Sequence, residues 1–189
     1  MKLEDVYGYI AMNMEKGRRE FTQKGISSKL GGSISSVHYA LEPMERMGSI
    51  TKRSRGFEVI DARKFLVYWA SVRRMRISYS THCPEPAEEI EALMPSVLFT
   101  TYSGAKFYYG IEPADYGAVF VYGNEKEVEK RFPEREGSKN VCCLKPPIFL
   151  RGSSKTPLTL LYVDLWNTPT WYAREYLREV EVRLNELLE

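Results

Sequence analysis

A chain of 189 residues that is 43% hydrophobic and 28% charged can build one large core or two small ones and has no need to stay disordered. Its net charge of +2 hides a division at Arg76: residues 1–76 carry 15 Lys and Arg against 8 Asp and Glu, net +7, and the remainder carries 12 against 17, net −5. A basic half suits a polyanion and an acidic half is repelled by one, so two units, 1–76 and 77–189, with different partners are expected.

In chain order, Leu3, Val6, Tyr7, Ile10, Ala11 and Met14 recur at three- and four-residue steps, which predicts a first helix ending near Gly17. Thr22 caps a short second helix carrying Ile26 and Leu30, closed by Gly31 and Gly32. Ser33 caps a third, with Ile34, Val37, Leu41, Met44 and Met47 facing inward and Ser35, Ser36, His38, Tyr39, Glu42 and Arg46 outward. Pro43 cannot donate its missing N–H and is expected to bend that helix near Tyr39. Residues 49–54 and 57–60 read as two short strands around Arg55-Gly56, a hairpin with a basic tip. Asp61 then caps a fourth helix through Phe65, Leu66, Trp69 and Val72, which ends at Arg73, Arg74 and Arg76.

Helix, helix, turn, helix and hairpin follow one another here, and the segment GISSKLGGSISSVHYALEPMERMGSITKRSRGFEVI resembles the second helix, recognition helix and wing of bacterial and archaeal winged helix-turn-helix regulators. In that family the third helix enters the major groove of double-stranded DNA. The resemblance therefore implies groove contact by Ser35, Ser36, His38 and Tyr39, with Ser33 near a phosphate. It also implies backbone or minor-groove contact by Lys52, Arg53 and Arg55.

Beyond Arg76, residues 77–86 contain two prolines and read as a linker or an ordered crossing between domains. Helices are expected at 87–94, at 103–109 before Gly110 and at 125–132, and strands at 97–101, 117–122, 141–144 and 158–164. Thr168 and Pro169 are expected to open a last helix with Trp171, Tyr172, Tyr176, Leu177, Val180, Leu184 and Leu187 on its apolar side and Glu175, Glu179, Glu186 and Glu189 outside. The predicted fold class is α+β: an N-terminal winged helix-turn-helix followed by a mixed α/β domain.

Within the second half, TTYSGAKFYYGI and LLYVDLWNTPTWYAREYLREVEVRL resemble the C-terminal domain of AbiE-type antitoxins, with a "Ser-Ala, aromatic, Tyr-Gly" helix and a "Tyr-x-Asp-Leu" strand end before a final helix. That resemblance implies a protein that represses its own operon and counteracts a nucleotidyltransferase-like toxin.

Motifs for covalent chemistry are missing from the sequence. Gly152-Ser153 is followed by the single Asp164 where a nucleotidyltransferase needs paired acids, and there is no P-loop, GxSxG or HExxH. Asp164 at a strand end reads as a turn or helix cap, with metal ligation the alternative. Cys83, Cys142 and Cys143 with His38 and His82 form neither a disulfide framework nor a zinc set, so no metal or cofactor is expected. In a strand, one of Cys142 and Cys143 should face in and the other out. The start MKLEDVYGYI is too acidic for a signal peptide and no apolar run is long enough for a bilayer, so the location expected is cytoplasmic. Together these readings describe a DNA-binding transcriptional regulator of antitoxin type, a homodimer with a toxin as a further partner. The alternatives are a nucleic-acid-processing enzyme and a regulator that senses a small molecule.

Overall fold

The computed structural model describes residues 2–188 and is α+β. Its first half runs α1 (Leu3–Met14), β1 (Glu20–Phe21), α2 (Gln23–Leu30), α3 (Ile34–Arg46), β2 (Ile50–Arg53), β3 (Gly56–Val59) and α4 (Ala62–Val72). The caps fall where side-chain oxygens can take orphan N–H groups. Thr22 accepts from Gly25 N, Ser33 from Ser36 N and Asp61 from Lys64 N, at 3.0, 3.0 and 2.8 Å. The two-residue β1 was not expected; it pairs antiparallel with β3, giving the three-stranded order β1-β3-β2. Phe21 stacks on Phe57 across that pairing, 5.7 Å between ring centres. Tyr7 ties α1 to α3 by donating to the Ala40 carbonyl at 3.0 Å.

The second half continues β4 (Ile77–Thr81), α5 (Ala87–Leu93), β5 (Leu98–Thr100), α6 (Thr101–Tyr109), β6 (Val119–Tyr122), α7 (Glu125–Arg131), β7 (Val141–Leu144), a 3-10 turn (Ile148–Leu150), α8 (Leu158–Trp166) and α9 (Ala173–Leu188). Its sheet has the order β4-β7-β6-β5, antiparallel except for the parallel pair β6 and β7. Three expectations change here. The first five residues of the expected linker, with their Ile, Tyr and Thr side chains, form edge strand β4. The expected strand over 158–164 is helix α8, whose residues Leu158 to Leu165 are all buried; a segment covered on every side has no polar face, so its periodicity does not distinguish strand from helix. This helix also replaces the strand that the antitoxin resemblance places before the final helix. That final helix starts at Ala173 because Thr168 is turned back, its hydroxyl donating to the Asp164 carbonyl at the end of α8.

α8 is the centre of the molecule, packing on α1 and α4 of the first half and on α6 and α9 of the second. Its N-terminus is satisfied from the first half: the Glu15 carboxylate accepts from Thr159 N at 2.7 Å and from the Thr159 hydroxyl at 2.5 Å. Phe65 and Trp69 of α4 lie in one apolar core with Leu160, Leu161, Tyr176 and Val180, so this core crosses residue 76 without a break. Phe149 adds to it by lying directly over Gly8, where a Cβ would meet its ring at 2.1 Å, and edge-on to Trp69. A smaller cluster of Ile90, Val119, Val121, Val128, Phe132, Val141 and Cys143 joins α5 and α7 to the sheet. Both Cys142 and Cys143 are buried, contrary to the in-and-out expectation, because β7 is an inner strand with all four of its residues covered.

Candidate nucleic-acid interface

α2 closes on Gly31, whose left-handed backbone (φ 65°) lets the chain reverse into the Ser33 cap of α3. α3 buries Val37, Ala40, Leu41 and Met44 against its own unit. Ser35, His38, Tyr39 and Glu42, spaced by three and four residues, form an exposed stripe on the opposite side, with Tyr39 66% accessible. Gln23 of α2 reaches that stripe, its Nε2 lying 3.4 Å from His38 Nδ1. Ser36 is half-buried at the cap, where its hydroxyl and that of Ser33 share a hydrogen bond of 2.8 Å. Ile34 departs from its expected inward position: it is 49% exposed, as the first residue of the helix it stands before the buried face begins. Helix geometry continues through Pro43 to Arg46, and the exposed side at Tyr39 lets water take the carbonyl that the proline leaves without a donor.

Beside α3, the hairpin of β2 and β3 carries Lys52, Arg53 and Arg55, all exposed. Lys52 Nζ reaches back to Glu45 of α3 at 2.8 Å, and Arg53 Nε donates to Glu58 across the hairpin at 2.8 Å. Exposed pairs of this kind contribute little to stability, so both cations can exchange their carboxylate for a phosphate at small cost. Among the described residues Arg55 makes no ion pair. Sequence reasoning missed Arg18, which lines an open groove of about 550 Å³ with Arg53 and Arg55. Arg18 is held there by its contact with the face of Phe21, 4.8 Å from the ring centre, and by donation from Nε to the Glu20 carbonyl at 2.9 Å. Its signal in the sequence was only a basic residue after a glycine.

Asp164 lies inside α8, fully buried, where it serves neither as a cap nor at a strand end. Arg73 Nε donates to its Oδ1 at 3.1 Å, and Thr100 Oγ1 and Tyr122 OH donate to its Oδ2 at 2.8 and 2.5 Å. Arg73 also donates to Tyr122 OH at 2.6 Å and to Glu4 Oε2 at 2.7 Å, so four segments of the chain meet at one guanidinium. Burial, the Asp164 carboxylate and its hydrogen bond hold the Tyr122 hydroxyl protonated, well above the ordinary tyrosine range. Burial and the neighbouring Cys143 push the Cys142 thiol up to about 11, which keeps it in the unreactive form. Among the described residues no group of three His, Cys, Asp or Glu side chains is placed to hold a metal ion, and no helix is long and apolar enough to cross a membrane.

Comparison with protein-family models, curated proteins and solved structures found no match.

Proposed function

We propose that residues 1–76 are a winged helix-turn-helix that holds double-stranded DNA, with α3 in the major groove and the β2–β3 hairpin on the backbone. The observation that carries this reading is the exposed stripe of Ser35, His38 and Tyr39 on a capped helix, set beside Lys52, Arg53 and Arg55 in a half with net charge +7. Ser33 and Ser36 stand at the start of that helix, where the dipole and first-turn N–H groups favour a phosphate, the N–H of Ser36 itself being taken by Ser33.

On this reading the chain is a cytoplasmic transcriptional regulator of antitoxin type that works as a homodimer, since paired half-sites multiply the affinity of a small reading head. Support for a second copy comes from Trp166 and Trp171, 46% and 74% exposed around a shallow groove with Leu177 and Arg174; large aromatics left in water mark contact surfaces. A cognate toxin is the further partner that the sequence resemblance implies.

The test is binding of the full chain to duplex DNA from its own upstream region across a salt series. Submicromolar affinity that falls linearly in log K against log salt, and is lost when Lys52, Arg53 and Arg55 are replaced by alanine, is the expected result. Weak binding that is flat in salt would overturn the reading.

A further inference from the structure

The second half is acidic, yet residues 137–163 contain no Asp or Glu and hold Lys139, Lys145, Arg151 and Lys155. Two of these, Arg151 and Lys155, line an open trench of about 520 Å³ together with Lys16 from the turn after α1 and the loop residues Ser153 and Ser154. All three cations are exposed and, among the described residues, make no ion pair. The trench has one carboxylate, Glu15, whose hydrogen bonds go to Thr159 at the start of α8; it attracts Lys155 without pairing with it, and against three cations it leaves the trench net positive. Lys155 is held over the ring of Tyr109, 4.7 Å from its centre, which positions its ammonium.

One turn of the chain borders both this trench and the wing groove. The backbone N–H groups of Lys16 and Arg18 both donate to the Asn13 carbonyl, each at 3.1 Å, around Gly17 with its left-handed backbone (φ 78°). Lys16 lines the trench and Arg18 lines the groove with Arg53 and Arg55, so one turn supplies a cation to each. An open row of exposed point charges suits successive phosphates along a strand; a free phosphate is held by enclosed donors, and every Lys and Arg of this row is exposed.

We infer that the trench of Lys16, Arg151 and Lys155 binds the sugar-phosphate backbone of the same DNA duplex, extending its path from the wing onto the second half of the chain. The inference rests on the DNA-binding reading above, and it makes residues 151–155 part of the interface although they lie far from the helix-turn-helix in sequence.

The experiment uses the full chain and a mixed-sequence duplex long enough to cover the whole molecule, comparing wild type, R151A/K155A, the charge-keeping R151K/K155R and the wing variant K52A/R53A/R55A, each checked for an unchanged melting temperature. R151A/K155A is expected to lower the slope of log K against log salt by about 2, one per lost phosphate contact, and to shorten the hydroxyl-radical footprint on the wing side. R151K/K155R restores both. An unchanged slope and footprint in R151A/K155A, with the wing variant still defective, overturns the inference and leaves the DNA-binding reading standing. Absence of DNA binding by the wild type overturns both. Titration with inorganic pyrophosphate separates the remaining source: tight pyrophosphate binding that is lost in R151A/K155A, with DNA affinity unchanged, overturns the inference in favour of a free-anion site.

Discussion

Arg73 and Asp164, 91 residues apart, form a buried ion pair: Arg73 Nε donates to Asp164 Oδ1 at 3.1 Å, and water reaches 6% of one side chain and none of the other. Arg73 ends the first half and Asp164 sits in the central helix of the second, so the pair joins them. Removing one partner strands the other charge in the interior. Asp164→Ala is expected to cost about 3–5 kcal/mol in denaturant unfolding, and Arg73→Met much the same. The double variant R73M/D164L should lose far less than the sum, because no fully buried charge is orphaned and the one carboxylate that loses its cation, Glu4, is reached by water. Additive losses would show that the pair does not act as a unit.

On the proposed reading head, His38 and Tyr39 are exposed and contribute nothing to the core. H38A/Y39A should therefore leave stability within about 0.5 kcal/mol of wild type. Affinity for the upstream duplex should drop about tenfold or more, while affinity for mixed-sequence DNA stays the same, since base-edge contacts and phosphate contacts are separable. Equal loss on both duplexes would assign these residues to the backbone instead.

Burial raises the Glu15 carboxyl above the ordinary glutamate range, and the Thr159 hydrogen bonds and Lys155 only partly offset it. A folded state that holds its proton more tightly than the unfolded chain has a contribution fully present below the unfolded pKa and lost as pH rises through the folded one. E15Q carries the neutral form at every pH and its amide oxygen can still accept from Thr159. It should melt above wild type at neutral pH, with the gap closing as the pH falls below the ordinary carboxylate range. A constant gap at all pH values would show that titration of Glu15 plays no part.

Trp166 and Trp171 stand exposed on the second half. If they join two copies, W166A/W171A should be monomeric by light scattering at concentrations where wild type is dimeric, with both proteins equally folded by circular dichroism. Monomeric wild type, unchanged by added DNA, would remove the dimer from the proposal.

The caps at Thr22, Ser33 and Asp61 and the inward stripe Val37, Leu41 and Met44 were legible in the sequence because each depends on residues three or four apart. β1 was not, since two residues carry no periodicity and are ordered only by Phe57 and Glu58 across the sheet. α8 was misread because its burial is decided by α1, α4, α6 and α9, none of which is near it in sequence except α9. For the same reason the sequence drew attention to Lys52, Arg53 and Arg55, which share one hairpin, and not to Arg18, Arg151 and Lys155, which the proposed interface adds from other segments. A charge contributed by another segment leaves no local pattern, and neither does the Arg73 partner of Asp164.

The unbroken core around α8 bears on modularity and inheritance. Trp69 of α4 meets Phe149, and α4 packs on α8, so a graft of residues 1–76 onto another effector would carry an uncovered apolar face with it. Moving the two halves together as one cassette avoids exposing that face. A substitution on α8 reaches the packing of both halves, α1 and α4 on one side and α6 and α9 on the other.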